Sequence, residues 1–224
     1  MGVVSTRVLI VDDDPLVRSA LTLMLGGQQD VEVVGEASDG REGVEAVADL
    51  RPDVVLMDVR MPRLNGLEAT RELHQQPDPP RVIVLTTFDA DDHVVGALAA
   101  GADGFLLKDT PPPQILEAIR KVADGEPMLS PSATRTLLRR LRSDHADTGA
   151  ADRVAEAERR LAPLTYRERD VALAVGRGLS NAEIAAELYL SVPTVKAHVS
   201  RLFDKLEVTN RVQIAMCVHD AGLV

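Results

Sequence analysis

Over its first 128 residues the chain repeats one pattern: a short apolar run rich in β-branched residues, a polar stretch, then a segment with apolar residues at steps of three and four. The apolar runs at residues 8–11, 31–34, 54–57, 82–85 and 104–107 read as strands. Residues 15–25, 41–50, 67–75, 91–100 and 113–123 read as helices. Strict alternation of this kind folds as a parallel sheet wound in both directions, with helices on both faces. The runs are continuously apolar rather than alternating, as strands covered on both sides are.

After Gly125 the pattern changes to helix only. Residues 130–141 read as a connecting helix, and residues 143–152 have no apolar period and read as a linker. A polar helix at 154–161 precedes Pro163, and residues 164–224 read as four short helices broken at Gly176/Gly178, Tyr189 to Ser191 and Val208 to Asn210. The domains expected are therefore 1–126, a linker with helical segments at 127–162, and 163–224. Aromatic residues are only 2% of the chain, so both cores must be built from Val, Leu, Ala and Ile.

A formal charge of −10 excludes a protein that simply coats nucleic acid. The distribution is more telling. Residues 1–128 hold 11 Lys/Arg against 23 Asp/Glu, whereas residues 129–224 hold 14 against 12. Between Ser191 and Arg211 stand Lys196, Arg201, Lys205 and Arg211, a small basic focus where DNA contact is to be sought. Cys217 is the single cysteine; Ile214, Val218 and Ala221 surround it at helical spacing, which marks a core residue rather than a reactive thiol. No apolar stretch approaches the ~20 residues that span a bilayer, so the reading is a cytoplasmic protein without membrane partners.

In a doubly wound sheet, ligands bind beyond the carboxyl ends of the strands. Those ends carry Asp12-Asp13-Asp14, Asp58, Thr86-Thr87 and Lys108. Gathered carboxylates stay ionised at neutral pH only beside a cation, and an all-oxygen ligand set favours a hard ion, Mg²⁺ above all. With such a cation a carboxylate can attack phosphorus while metal and lysine stabilise charge on the phosphoryl oxygens. Asp14-Pro15 reads as a helix cap followed by proline at the first helical position, without chemical role. Gly66 and Gly101 read as backbone devices.

The stretches VLIVDDDP, VVLMDVRMPRLNG, VLTTF and GADGFLLKD, in this order, make residues 7 to about 125 resemble a response-regulator receiver domain. The resemblance implies a five-stranded, parallel, flavodoxin-like sheet of order 2-1-3-4-5. It implies Asp58 as phosphoacceptor, Mg²⁺ held by Asp12, Asp13, Asp58 and the backbone carbonyl of Arg60, and Thr86 and Lys108 at the phosphoryl group. Thr86 would shift towards the phosphate on activation and Phe105 would rotate inward.

In the second half, Ser180-Asn181-Ala182-Glu183 opens a helix as a capping box, and Ser191 caps another after a tight Tyr189-Leu190 connection. Val192, Val195, Val199, Leu202 and Phe203 are expected to face inward. Thr194, Lys196, Ala197, Ser200 and Arg201 are left for phosphates and base edges. The run LTYRERDVALAVGRGLSNAEIAAELYLSVPTVKAHVSRLFDKLEV resembles the LuxR-type helix-turn-helix domain. By position, the resemblance places Lys196, Ala197 and Ser200 in the major groove, with Thr194, Arg201 and Arg211 as phosphate partners. Glu168 is expected to form a structural ion pair, and His198 to touch backbone or stand by. The whole resembles a NarL/FixJ-type response regulator. It is then not an enzyme but a transcription factor that a sensor histidine kinase phosphorylates and that binds paired DNA half-sites as a homodimer.

Three other readings compete: an aspartate phosphatase built on Asp12-x-Asp14, a dinucleotide oxidoreductase, and a regulator that binds DNA without phosphorylation. The first leaves Asp58 unexplained, and the second lacks a G-x-G-x-x-G after the first strand.

Overall fold

The computed structural model describes residues 5–87, 91–129 and 150–224, apart from the side chains of 91–93 and 150–153. The chain forms two compact units, Met1–Leu137 and Leu138–Val224. The expected helix at 130–141 and most of the expected linker lie outside the described residues.

In the first unit β1 (Thr6–Val11), α1 (Pro15–Leu25), β2 (Val31–Ala37), α2 (Gly40–Leu50), β3 (Val54–Asp58), α3 (Gly66–His74), β4 (Arg81–Thr86), α4 (Asp91–Ala100), β5 (Gly104–Leu107) and α5 (Pro112–Ala123) follow in alternation. A two-residue β6 (Met128–Leu129) completes a parallel sheet of order β2-β1-β3-β4-β5-β6. The five expected strands stand in the order 2-1-3-4-5, and β6 is an addition at the edge. Its signal in the sequence was too short to see: two residues after Pro127, paired to β5 as Gly104 to Met128 and Phe105 to Leu129.

Alternate residues of each strand face opposite sides of the sheet. Val8, Ile10, Val54, Leu56, Ile83 and Leu85 pack with Leu21 and Leu25 of α1 and with Ile115, Ile119 and Val122 of α5. Leu9, Val55, Met57, Val82, Val84 and Phe105 point the other way and are equally buried. Each fully buried Val, Leu or Ile contributes roughly 1.5–3 kcal/mol, so this double-sided core fixes the strand ends to which the polar residues are attached.

The second unit comprises α6 (Ala150–Leu161), α7 (Tyr166–Gly176), α8 (Asn181–Leu188), α9 (Val192–Leu206) and α10 (Arg211–Asp220). Helices α7 to α10 are the four expected from sequence. Val171, Val175, Ile184, Val195, Val199, Leu202, Ile214 and Val218 make their common core. Two residues of α6 belong to it as well: Ala157 and Leu161, 5% and 2% exposed. The helix read from sequence as part of the linker thus packs into this unit. Its mostly charged sequence hid two apolar anchors four residues apart. Val192, expected inside, is exposed at the first turn of α9, and Leu206 closes the buried stripe in its place. Cys217 is buried in the core, and burial pushes its thiol above the ordinary range. Among the described residues no helix is long and apolar enough to cross a membrane.

Candidate functional site

Parallel pairing brings the carboxyl ends of β1, β3, β4 and β5 to one edge of the sheet, and with them the polar residues that follow. Carboxylate oxygens of Asp12, Asp13 and Asp58 lie within 4.8 Å of one another. Asp12 and Asp58 are buried, and Asp13 is exposed. Lys108, one residue past β5, reaches across with Nζ 2.6 Å from Asp12 Oδ2 and 3.3 Å from Asp58 Oδ1. Burial raises the pKa of Asp58 above its ordinary value; the Lys108 ammonium opposes this, and the Asp12 charge adds to it. At Asp58 the effect of burial thus outweighs that of the ammonium. Three oxygen donors without nitrogen or sulfur, around an under-neutralised buried carboxylate, fit a hard divalent cation.

Beside this cluster the loop after β3 forms an open groove of about 620 Å³, lined by Asp13, Val59, Arg60, Met61, Pro62, Asn65 and Leu67. The loop is tightly specified. Asn65 Oδ1 caps α3 by accepting from the Glu68 N–H at 2.9 Å, and Gly66 N–H donates to the Val59 carbonyl at 2.9 Å. A Cβ on Gly66 would stand 1.8 Å from the Asp58 carbonyl oxygen, so only glycine lets α3 start this close to the end of β3. Arg63, at φ 63°, forms an ion pair with Asp39, itself fully buried and capping α2 through Arg41 and Glu42 N–H. Asp39 and Arg63 thus hold the rim of the site, a role the sequence reading missed; Asp39 with Glu42 three residues on was the legible half of that signal.

Thr86 is the last residue of β4 and 2% exposed. Its carbonyl accepts the Lys108 N–H at 2.8 Å, which ties the ends of β4 and β5 together. The neighbouring Thr87 hydroxyl accepts from Arg60 Nη2 at 3.3 Å. Phe105 is fully buried, so the structure records the ring inside. Asp14 caps α1, its Oδ1 accepting from Leu16 N–H at 2.8 Å. It therefore serves the helix, and the Asp12-x-Asp14 phosphatase reading loses its second acid.

In the second unit, capping boxes at Thr165/Glu168 and Ser180/Glu183 start α7 and α8. Tyr189, in the left-handed region at φ 55°, turns the chain into α9, which Ser191 caps. The buried stripe Val195, Val199, Leu202, Leu206 leaves Thr194, Lys196, Ala197, Ser200 and Arg201 exposed on the outer faces of α9. This is a helix-turn-helix with a polar, basic second helix.

Residues 8–120 match the response regulator receiver domain family, and residues 162–218 match the luxR family of bacterial regulatory proteins. The chain is 39% identical to the transcriptional regulatory protein LiaR of Bacillus subtilis (strain 168), over 97% of this chain and 99% of that one. It is 38% identical to the nitrate/nitrite response regulator protein NarL of Escherichia coli (strain K12), over 95% and 94%. The chain belongs to the NarL/LiaR family of two-component response regulators. Among solved structures, the response regulator ChrA of a heme-sensing two-component system is 32% identical over 100% of both chains, with a TM-score of 0.53. These relatives are response regulators and transcriptional regulators rather than enzymes.

Within this response regulator, Arg211 requires a correction. It was expected to meet DNA phosphate, but it is 6% exposed, and its guanidinium donates to Asn181 Oδ1 at 2.7 Å and to the Leu179 carbonyl. Arg211 joins α10 to the start of α8 from inside. The signal that misled was charge and proximity to the basic focus; its partners lie 30 and 32 residues away. Glu168 forms the expected ion pair, 2.7 Å from Lys205 Nζ. His198 Nδ1 is buried without a hydrogen-bond partner.

Proposed function

We propose that Asp58 accepts a phosphoryl group from a sensor histidine kinase. A carboxylate oxygen of Asp58 forms a bond to phosphorus as the bond from phosphorus to the donor histidine nitrogen breaks, and the freed imidazole keeps that electron pair. Mg²⁺, held by Asp12, Asp13, Asp58 and the backbone carbonyl of Arg60, would neutralise charge on the phosphoryl oxygens and on the acidic cluster. Lys108 supplies a cation to one phosphoryl oxygen, and the Thr86 hydroxyl donates to another. Moving either residue displaces the joined ends of β4 and β5, and Phe105 lies on β5 three residues before Lys108, so the pocket can bias a two-state receiver. The single observation that carries this reading is the convergence of Asp12, Asp13, Asp58 and Lys108 on one strand edge.

Phosphorylation then controls formation of a homodimer that binds paired DNA half-sites in the cytoplasm, each half-site read by α9. Lys196, Ala197 and Ser200 meet base edges, and Thr194 and Arg201 meet phosphates. Support comes from the exposure of these five residues together on one capped helix.

The test is intact mass after incubation with Mg²⁺ and acetyl phosphate, for wild type and Asp58→Ala. A single Mg²⁺-dependent phosphoryl adduct, absent in the variant, is expected. An adduct of equal yield in Asp58→Ala would move the acceptor elsewhere. No adduct with acetyl phosphate or with a purified kinase would leave DNA binding independent of phosphorylation.

A further inference from the structure

The last turn of α9 is held by the chain that leads into the second unit. Arg160, half-buried on α6, donates through Nη2 to the carbonyl of Leu206, the final residue of α9. That carbonyl is one of the four a helix leaves without an intrahelical partner, and a guanidinium there also opposes the negative end of the helix dipole. The origin of this contact is fixed, because Ala157 and Leu161 anchor α6 in the same core as Val195, Val199, Leu202 and Leu206. Arg159, one residue earlier, turns outward to pair with exposed Glu156, so the inward course of Arg160 is particular to it. A second hold acts on the same turn: Lys205 Nζ lies 3.4 Å from the Pro163 carbonyl and 2.7 Å from Glu168.

The apolar stripe of α9 sets how deep the helix sits, but apolar contacts are not directional and leave it some freedom to roll and tilt. A directed hydrogen bond at one end removes that freedom. Recognition groups must be held within about 0.5 Å and 10–20° to be productive.

We propose that Arg160 is a positioning residue for sequence reading, holding the C-terminal turn of α9 so that Lys196, Ala197 and Ser200 meet base edges in register. It touches no DNA itself. The proposal rests on the DNA-binding reading above. It extends the reading unit to α6, ahead of the residues 162–218 that match the luxR family.

The full-length protein, treated with acetyl phosphate and Mg²⁺, is compared as wild type, Arg160→Ala and Arg160→Gln. The probes are a duplex enriched by the wild type from a random-sequence pool and a scrambled duplex of equal length. Both are titrated over a series of salt concentrations, at a temperature where circular dichroism shows every variant folded. Arg160→Ala is expected to weaken binding to the enriched duplex about tenfold, to leave the scrambled duplex within twofold, and to keep the slope of log affinity against log salt. Arg160→Gln, which retains an N–H donor without charge, is expected to recover most of the loss. A slope smaller by about one would make Arg160 a phosphate contact and overturn the proposal. So would equal losses on both duplexes, or no loss. If Arg160→Ala does not fold, Arg160→Gln decides alone: near-wild-type discrimination at unchanged slope supports the positioning role, and a reduced slope overturns it. A wild type that enriches no duplex removes the DNA-binding reading itself, and this proposal with it.

Discussion

The buried carboxyl group of Asp58 is held at a cost to the fold. Its pKa is raised, first by burial, so the folded chain binds that proton more tightly than the unfolded one. The associated stability is present in full below the unfolded value of 3.8 and is lost as pH rises through the higher folded value. Ionising Asp58 therefore costs the folded chain stability. Asp58→Ala is expected to raise the melting temperature of the first unit at pH 7. Mg²⁺ is expected to raise that of the wild type, by about 2.7 kcal/mol of stability at a hundred times its dissociation constant, and to act on the variant at most half as strongly. Equal Mg²⁺ responses in differential scanning calorimetry would refute the metal site. Glu168 behaves in the opposite sense. Its hydrogen bond from Lys205, then those from Thr165, bring its pKa from 4.5 to about 2. The stability it lends is complete above pH 4.5 and disappears as pH falls through about 2. Urea unfolding between pH 2 and 7 should show that loss in the wild type and a flatter profile in Glu168→Gln. Gly66→Ala, finally, must push the Asp58 carbonyl or α3 away, with a loss of about 1–3 kcal/mol and slower phosphoryl acceptance; wild-type rates in that variant would mean that the close approach has no bearing on the chemistry.

Elements were largely legible because each carries its own periodicity and punctuation. Asp14-Pro15 announced α1, and the structure starts the helix at Pro15 with Asp14 as its cap. Ser180 and Glu183 announced α8 in the same way, with Ser180 Oγ accepting the Glu183 N–H and Glu183 accepting the Ser180 N–H at 2.7 Å. Ser180→Ala should cost about 1 kcal/mol and fray the helix that supports α9; amide exchange at Ala182 and Glu183 unchanged from wild type would show that the cap contributes little. Two elements escaped. β6 has only two residues, and its existence depends on an edge offered by β5. The attachment of α6 depends on Ala157 and Leu161 meeting a core assembled by other helices. Neither is a property of the segment itself.

At the scale of the molecule, an acidic first half and a basic reading helix occupy one chain. Attraction of that helix to DNA phosphate would be screened beyond about 8–10 Å at 0.1–0.15 M salt. The logarithm of DNA affinity should then fall linearly with the logarithm of salt concentration; an affinity independent of salt would remove Lys196 and Arg201 as DNA contacts. The sequence by itself determined the alternation that makes the sheet, the caps that start the helices, and the residue types Asp12, Asp13, Asp58, Thr86 and Lys108 in their order. These are local properties, written in spacings of two to four residues. Tertiary structure alone decided which charges face water and which face each other. It sent Arg211 inward to Asn181, set Lys205 against Glu168 across 37 residues, and brought Arg160 to the end of α9 across 46. The physical reason is the same in each case: a buried charge is tolerated only beside a partner, and partners distant in sequence become neighbours only when the core has closed.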